Sequence, residues 1–293
     1  MSVSFSRRFL LAAGTTHAQT PATRVLYGGL DEDFFKGRPA SRAQGSEGAR
    51  PACPASLPAA RSATTTVDDL QRRLGYAAPT KVLAAALREL FPGRIAVVSS
   101  FGAESAVLLH LVAAIDRATP VLFIDTGRHF AETLRYRDAL RAHLGLSDVR
   151  SVGPTAEEIA RLDGDATRAV WDPDGCCAFR KTQPLQRALA GFDAWITGRK
   201  RFQATTRFDL PVFEADPTHI KINPLASWST ADLAAYVAEH RLPPHPLVAE
   251  GFASIGCASC TSVLRPGEEA RAGRWRGFDN TECGIHQQRP AGQ

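Results

Sequence analysis

Four short apolar runs, Ile95-Ala96-Val97-Val98, Val121-Leu122-Phe123-Ile124, Val149 to Val152 and Ala194-Trp195-Ile196-Thr197, each break off into small or polar residues. The first three lead into segments with helical spacing, about 106–115, 130–144 and 155–162. Strands alternating with helices, joined by crossovers, build a parallel sheet with helices on its faces. The pattern predicts an α/β fold with a doubly wound, mostly parallel sheet. In such a sheet ligands bind outside the carboxyl ends of the strands.

The chain has 293 residues and 44% hydrophobic residues, enough for a sizeable core. Residues 1–65 are rich in Ala, Ser, Thr, Arg, Pro and Gly, so they read as a poorly ordered extension. Within it Ser6-Arg7-Arg8-Phe9-Leu10-Leu11 resembles a twin-arginine export signal, but polar residues follow Gly14 too soon for an h-region. The expected organisation is this extension, an α/β domain over 66–265 and a mobile C-terminal tail over 266–293. No run approaches a membrane span. The net charge of +5, with 35 Lys and Arg, suits an anionic partner, and no basic run with interleaved aromatics favours nucleic acid.

The loops that end the strands carry polar chemistry. Ser99-Ser100-Phe101-Gly102-Ala103-Glu104-Ser105 opens a helix, where small residues let an oxyanion approach unpaired N–H groups and the helix dipole favours its charge. It is not a Walker loop, because the Gly-Lys-Ser/Thr ending is missing. Asp125-Thr126-Gly127-Arg128 follows the second strand. Gly198-Arg199-Lys200-Arg201-Phe202-Gln203-Ala204-Thr205-Thr206-Arg207 follows the fourth, and four cations in ten residues suit a phosphate or sulfate group.

Six cysteines are few for this length, and four fall in two tight groups, Cys176-Cys177 and Cys257-Ala258-Ser259-Cys260. That is ligand spacing. Three readings stand: buried structural thiols, a zinc site, or an iron–sulfur cluster. A vicinal pair is an awkward knuckle for one zinc ion, whereas a cluster's separate irons can take neighbouring thiolates. Lys181 lies four residues beyond Cys177, which on a helix puts its ammonium on the thiolate's face. Cys283 stands in the polar tail segment Glu282-Cys283-Gly284-Ile285-His286, where a thiolate on a mobile arm could reach a substrate bound elsewhere. Cys53 has no partner thiol near it in sequence. The low cysteine count suggests a reducing compartment, and the chain is expected to be cytoplasmic.

Cys-Cys-x-x-Arg-Lys at 176–181, Ser-Ile-Gly-Cys-x-x-Cys-Thr at 254–261 and Glu-Cys-Gly-Ile-His at 282–286, in this order, resemble the sulfonucleotide reductases. The likeness is closer to the cluster-containing adenylylsulfate (APS) reductases, and it covers roughly residues 95–286. The resemblance implies an adenine-nucleotide alpha-hydrolase-like (ATP-pyrophosphatase-like) fold. It implies nucleotide contacts from Ser100, Phe101, Gly102, Glu104, Thr126, Gly127 and Arg128, and cationic contacts from Lys181, Arg207, Arg271 and Arg274. Arg199 and Arg201 join them from the cation-rich loop, and His286 lies beside the thiol in sequence. It makes Cys176, Cys177, Cys257 and Cys260 the ligands of a 4Fe–4S cluster, and Cys283 the nucleophile. Ser105, Val248 and the run Trp275-Arg276-Gly277-Phe278 depart from the family's usual pattern.

The implied reaction is thiol attack by Cys283 on the sulfate of APS, followed by release of sulfite by an external dithiol, thioredoxin or glutaredoxin. The neighbouring expectations are a reductase of the 3′-phosphorylated nucleotide (PAPS), or of both, and a tRNA sulfur-transfer ATP pyrophosphatase. A cluster-based redox sensor is a further class, which the arginine loop and the reactive tail argue against. A homo-oligomer is compatible with the sequence.

Overall fold

The structure, a computed structural model, describes residues 66–278, 280 and 282–286; the extension with Arg7, Arg8 and Cys53 lies outside them. Helix α1 (Val67–Leu74) starts where the Thr66 hydroxyl accepts the Asp69 N–H, and α2 (Pro79–Ala85) runs on into a π-helical turn, Ala86–Leu90. Then come β1 (Ile95–Ser99), α3 (Ser105–Ala113), β2 (Val121–Ile124), α4 (Ala131–Leu144) and β3 (Val149–Val152). These follow the sequence reading closely.

Helix α5 (Ala156–Asp163) is set by a capping box between Thr155 and Glu158. After the short α6 (Arg168–Trp171), one helical segment comprises α7 (Pro173–Cys177), a π-turn at Ala178–Thr182 and α8 (Gln183–Leu189). The four-residue spacing from Cys177 to Lys181 implies an ordinary α-helix there, and the structure has a π-turn instead. Pro184 gives the reason: its ring would clash with the Arg180 carbonyl four residues back, and it has no N–H to donate there, so the backbone widens just before it.

The remaining elements are β4 (Ala194–Ile196), β5 (Phe213–Ala215), β6 (Ile220–Ile222) and α9 (Thr230–Glu239), the last capped by Ser229 and Asp232. The sheet order is β3-β2-β1-β4-β6-β5. All neighbours are parallel except β5, which runs antiparallel to β6 at the edge. The sequence reading missed β5, because three residues beside a Pro-Val step carry too little periodicity.

Strand alternation sorts the core. Ile95, Val97, Val121, Phe123, Ala194 and Ile196 face a large cluster with α1 to α4 and α9. Ala96, Leu122, Ile124 and Trp195 face a smaller one covered by Leu185 and Leu189 of α8. Helices on both faces make the sheet doubly wound. Among the described residues no helix is long and apolar enough to cross a membrane.

The chain winds outward from β1 to β3 and then returns to place β4 on the other side of β1. The order therefore reverses between β1 and β4. Loops leaving these two strands must diverge, and a crevice opens between them.

Candidate active site

A cleft of about 240 Å³ lies at that reversal, lined by the loops after β1, β2 and β4, by residues 253–257 and by the tail. It gathers Ser100, Gly102, Glu104, Thr126, Lys181, Arg199, Arg207, Arg271, Arg274, Cys283 and His286, which are most of the residues expected to meet substrate, together with Cys257 of the cysteine quartet.

Others point elsewhere. Phe101 adopts φ 49° and turns its ring into the core, edge-on to Phe123 at 5.6 Å. Such a left-handed non-glycine is strained and is held there by the packing of its ring. Arg128 pairs with Asp163 at 3.1 Å, and Gly127 forms the φ 66° turn that lets the chain double back over Asp125. Arg201 donates to the Leu210 carbonyl at 3.0 Å and braces its own loop instead of lining the cleft.

Three carboxylates neutralise much of the cleft's charge. Glu104 accepts from Lys200 Nζ and from Gln203 Nε2, both at 2.6 Å. Glu214, on the unexpected strand β5, pairs with Arg199 and with Lys221 at 3.3 Å. Glu282 is gripped by both arms of Arg207 and lies 3.4 Å from Arg271. Burial lowers the pKa of Arg199, against Glu214, and of Lys200, against Glu104. Burial also brings Arg271 down to about 10.

Lys181 and Arg274 differ, since among the described residues neither has a carboxylate within ion-pair distance. Trp275 collects them: its ring centre lies 4.5 Å from the Arg274 guanidinium, 5.7 Å from that of Arg271 and 5.9 Å from Lys181 Nζ. Gly256 makes room for Arg274, because a β-carbon there would stand 2.3 Å from a guanidinium nitrogen. Nothing in the local spacing signals that one aromatic face organises three cations.

Buried Lys181 faces sulfur. Its ammonium lies 3.5 Å from Cys177 Sγ, so the four-residue spacing works even through the π-turn. Burial opposes its charge, but the sulfurs of Cys257, Cys177 and Cys283 raise its pKa. Cys257 Sγ lies 3.2 Å from the Thr126 hydroxyl, in hydrogen-bond contact with it. Burial works against its thiolate as well, yet Lys181, Thr126 and Arg274 bring it below the ordinary thiol value. Cys176 packs with Ala169, Phe179 and Cys260, and burial pushes Cys177 up to about 11.

The two cysteine groups thus meet beside a buried cation. Among the described residues no three His, Cys, Asp or Glu side chains close on a single metal ion. The donor set fits a thiolate-bound iron–sulfur cluster: four sulfurs from two segments, three of the cysteines buried, and an ammonium with no carboxylate of its own.

The tail is seated in the cleft. Ile285 packs on the sheet's smaller cluster, and His286 stacks on Trp195 with ring centres 6.0 Å apart. Burying part of an isoleucine contributes about 1 kcal/mol. Burial and the guanidinium groups of Arg199 and Arg207 hold the His286 pKa well below its usual value, so the ring is neutral and adds no positive charge beside Cys283. Arg274 Nε, Trp275 Nε1, Thr182 Oγ1 and His286 Nδ1 are buried without hydrogen-bond partners among the described residues. Sequence reasoning assigned no individual role to Lys200, Gln203, Trp275 or Glu282. Of these only Lys200, within the cation-rich loop, and Glu282, next to Cys283, carried a usable signal.

Comparison with known proteins gives a consistent picture. The family described as "Phosphoadenosine phosphosulfate reductase domain" matches residues 94–263, ending before Cys283. An "Adenosine 5'-phosphosulfate reductase" of Mesorhizobium japonicum is 54% identical over 212 residues, 72% of this chain and 84% of its own length. One from Chelativorans sp. is 50% identical, over 74% of this chain and 89% of its own. A solved phosphoadenylyl-sulfate (PAPS) reductase from Candida auris superposes with a TM-score of 0.58 at 30% identity, over 69% of this chain and 98% of that one.

Proposed function

This chain belongs to the phosphoadenosine phosphosulfate reductase family, and on that premise we propose that it reduces APS to sulfite and AMP in sulfate assimilation. One observation carries the reading: a thiol, Cys283, shares a cleft with Lys181, Arg271 and Arg274, of which Lys181 and Arg274 are free of carboxylates among the described residues. An activated sulfate needs just such a nucleophile and such counter-charge.

The Cys283 thiolate attacks the sulfate sulfur. The bond from sulfur to the bridging oxygen breaks, AMP leaves with the electron pair, and Cys283 carries an S-sulfonate. Lys181, Arg271 and Arg274 offset charge on the transferring oxygens and on the leaving phosphate. A dithiol protein, thioredoxin or glutaredoxin, then attacks Cys283 Sγ. Sulfite departs, the mixed disulfide is resolved by the second thiol, and both electrons come from that partner.

Cys176, Cys177, Cys257 and Cys260 would hold a 4Fe–4S cluster, which supplies fixed negative charge and structural closure beside Lys181. The sequence match to relatives named for APS, together with the cysteine quartet, favours APS over the 3′-phosphorylated nucleotide.

To test the nucleophile, the protein is incubated with sulfur-labelled APS and no reductant. Label should appear on the protein and leave when thioredoxin is added. Label retained by Cys283→Ser would sink the assignment, and faster turnover on PAPS would reassign the substrate.

A further inference from the structure

Glu282 is bound to Cys283 by a single peptide link, and its carboxylate is anchored by two arginines. Both Arg207 Nε and Arg207 Nη2 donate to it, the latter at 2.7 Å, and Arg271 adds a contact at 3.4 Å. The Arg207 and Glu282 side chains are only 7% and 12% exposed, so solvent screens the pair weakly.

Arg207 is itself fixed from behind. Its other amino group donates to Gln203 Oε1, which also accepts the Lys200 N–H at 3.1 Å, while Gln203 Nε2 donates to Glu104. That pattern leaves the Gln203 amide one orientation. It forms an unbroken chain of hydrogen bonds from the loop after β1 to the residue before the thiol. At the end of the described tail residues, the stack of His286 on Trp195 and the His286 backbone N–H donated to the Cys283 carbonyl hold the turn closed. Gly284 sits so near Thr182 that an added β-carbon would stand 3.0 Å from its hydroxyl.

We propose that Glu282 is a positioning residue: its pairing with Arg207 latches the tail and holds Cys283 in the cleft. The proposal rests on Cys283 being the nucleophile. A carboxylate placed merely to balance charge would not need both arms of Arg207. It would also not need the relay through Gln203 to Glu104. The latch has a second consequence, since a protein dithiol must reach Cys283 Sγ after transfer. The Glu282–Arg207 pair must then open, so its strength sets the balance between the seated and the accessible tail.

The test compares the full chain with Glu282→Gln and Glu282→Asp. Hydrogen–deuterium exchange over 282–286, without nucleotide, should be about tenfold faster or more in Glu282→Gln, with Glu282→Asp intermediate. Single-turnover labelling of Cys283 by APS should slow by a similar factor at saturating substrate, so that the rate constant falls and the half-saturation concentration changes little.

Unchanged exchange overturns the latch. Faster exchange with unaltered labelling overturns the positioning role. Tighter AMP binding in Glu282→Gln with unchanged exchange shows a simple counter-ion competing with the ligand, which also overturns it. If the unaltered protein takes no label from APS, the functional reading fails, and the exchange comparison still decides the latch.

Discussion

Lys181 directs its ammonium at the Cys177 sulfur, 3.5 Å away and one turn back, from a site that is buried and lacks a carboxylate partner among the described residues. Among the described residues, the groups positioned to balance its charge are the cysteine sulfurs and a ligand in the cleft. Lys181→Met keeps the volume and removes the charge. Calorimetric titration with AMP or APS should show affinity reduced at least about tenfold, the loss of one hydrogen bond to a charged group. Stability should move by only about 1 kcal/mol, because the variant no longer buries a charge. Undiminished affinity would detach Lys181 from the ligand.

The quartet makes a prediction independent of activity. Protein purified without oxygen should be brown and carry about four irons and four sulfides per chain. Cys176→Ser and Cys260→Ser, one from each segment, should each lose most of the iron and the visible absorbance. Stoichiometric zinc without sulfide would replace the cluster by a zinc site.

Asp163 should be among the costliest residues to change. Its side chain is fully buried, receives Arg180 at 2.6 Å and Arg128 at 3.1 Å, and accepts the Arg168 N–H at 2.8 Å. Burial alone would raise its pKa, but these donors hold it below the usual carboxylate value. Asp163→Ala strands the buried Arg180 guanidinium and should lower unfolding free energy by about 3–5 kcal/mol in urea titrations. Asp148→Ala, which breaks the exposed pair with Arg150, should cost under about 1 kcal/mol. Equal costs for the two would refute the assignment of Asp163 as a structural hub.

His245 sets a pH dependence. The Leu247 N–H donates to its Nδ1 at 3.2 Å, so the proton resides on Nε2, which donates to the Thr133 hydroxyl at 3.0 Å. Burial pushes its pKa down to about 4, with only Glu132 opposing. The folded value lies below the unfolded one of about 6.5, so between them the unfolded chain binds more protons. Its contribution is full above about pH 6.5 and falls away toward pH 4, by roughly 3 kcal/mol. Urea midpoints at pH 7.5 and pH 4.5 measure it. His245→Gln should flatten the difference, and a variant as pH-sensitive as the parent would assign the effect to other groups.

Strand identity was legible where periodicity is long or burial is two-sided. β1, β2 and β4 are apolar because both faces of the sheet are covered, and Ser229 and Thr155 announce their helices through capping chemistry. β5 was not legible, since three residues at a sheet edge owe their conformation to β6 and to nothing local. The π-turn before Pro184 could have been suspected, because a proline that far into a helix must be accommodated somewhere.

By itself the sequence determined which groups are candidates for the chemistry: two pairs of ligand-spaced thiols, a lysine one turn from a cysteine, a cation-rich loop and a thiol in the tail. Those are properties of residue type and short-range spacing. Only the tertiary structure decided which charges remain available. Arg199, Lys200 and Arg207 look equivalent in sequence, yet each meets a different carboxylate, Glu214, Glu104 or Glu282, from 15, 96 and 75 residues away. Arg274 and Lys181 meet no carboxylate among the described residues and share one indole face. Ion pairing across such separations depends on where the sheet order reverses and where the tail docks, and local sequence encodes neither.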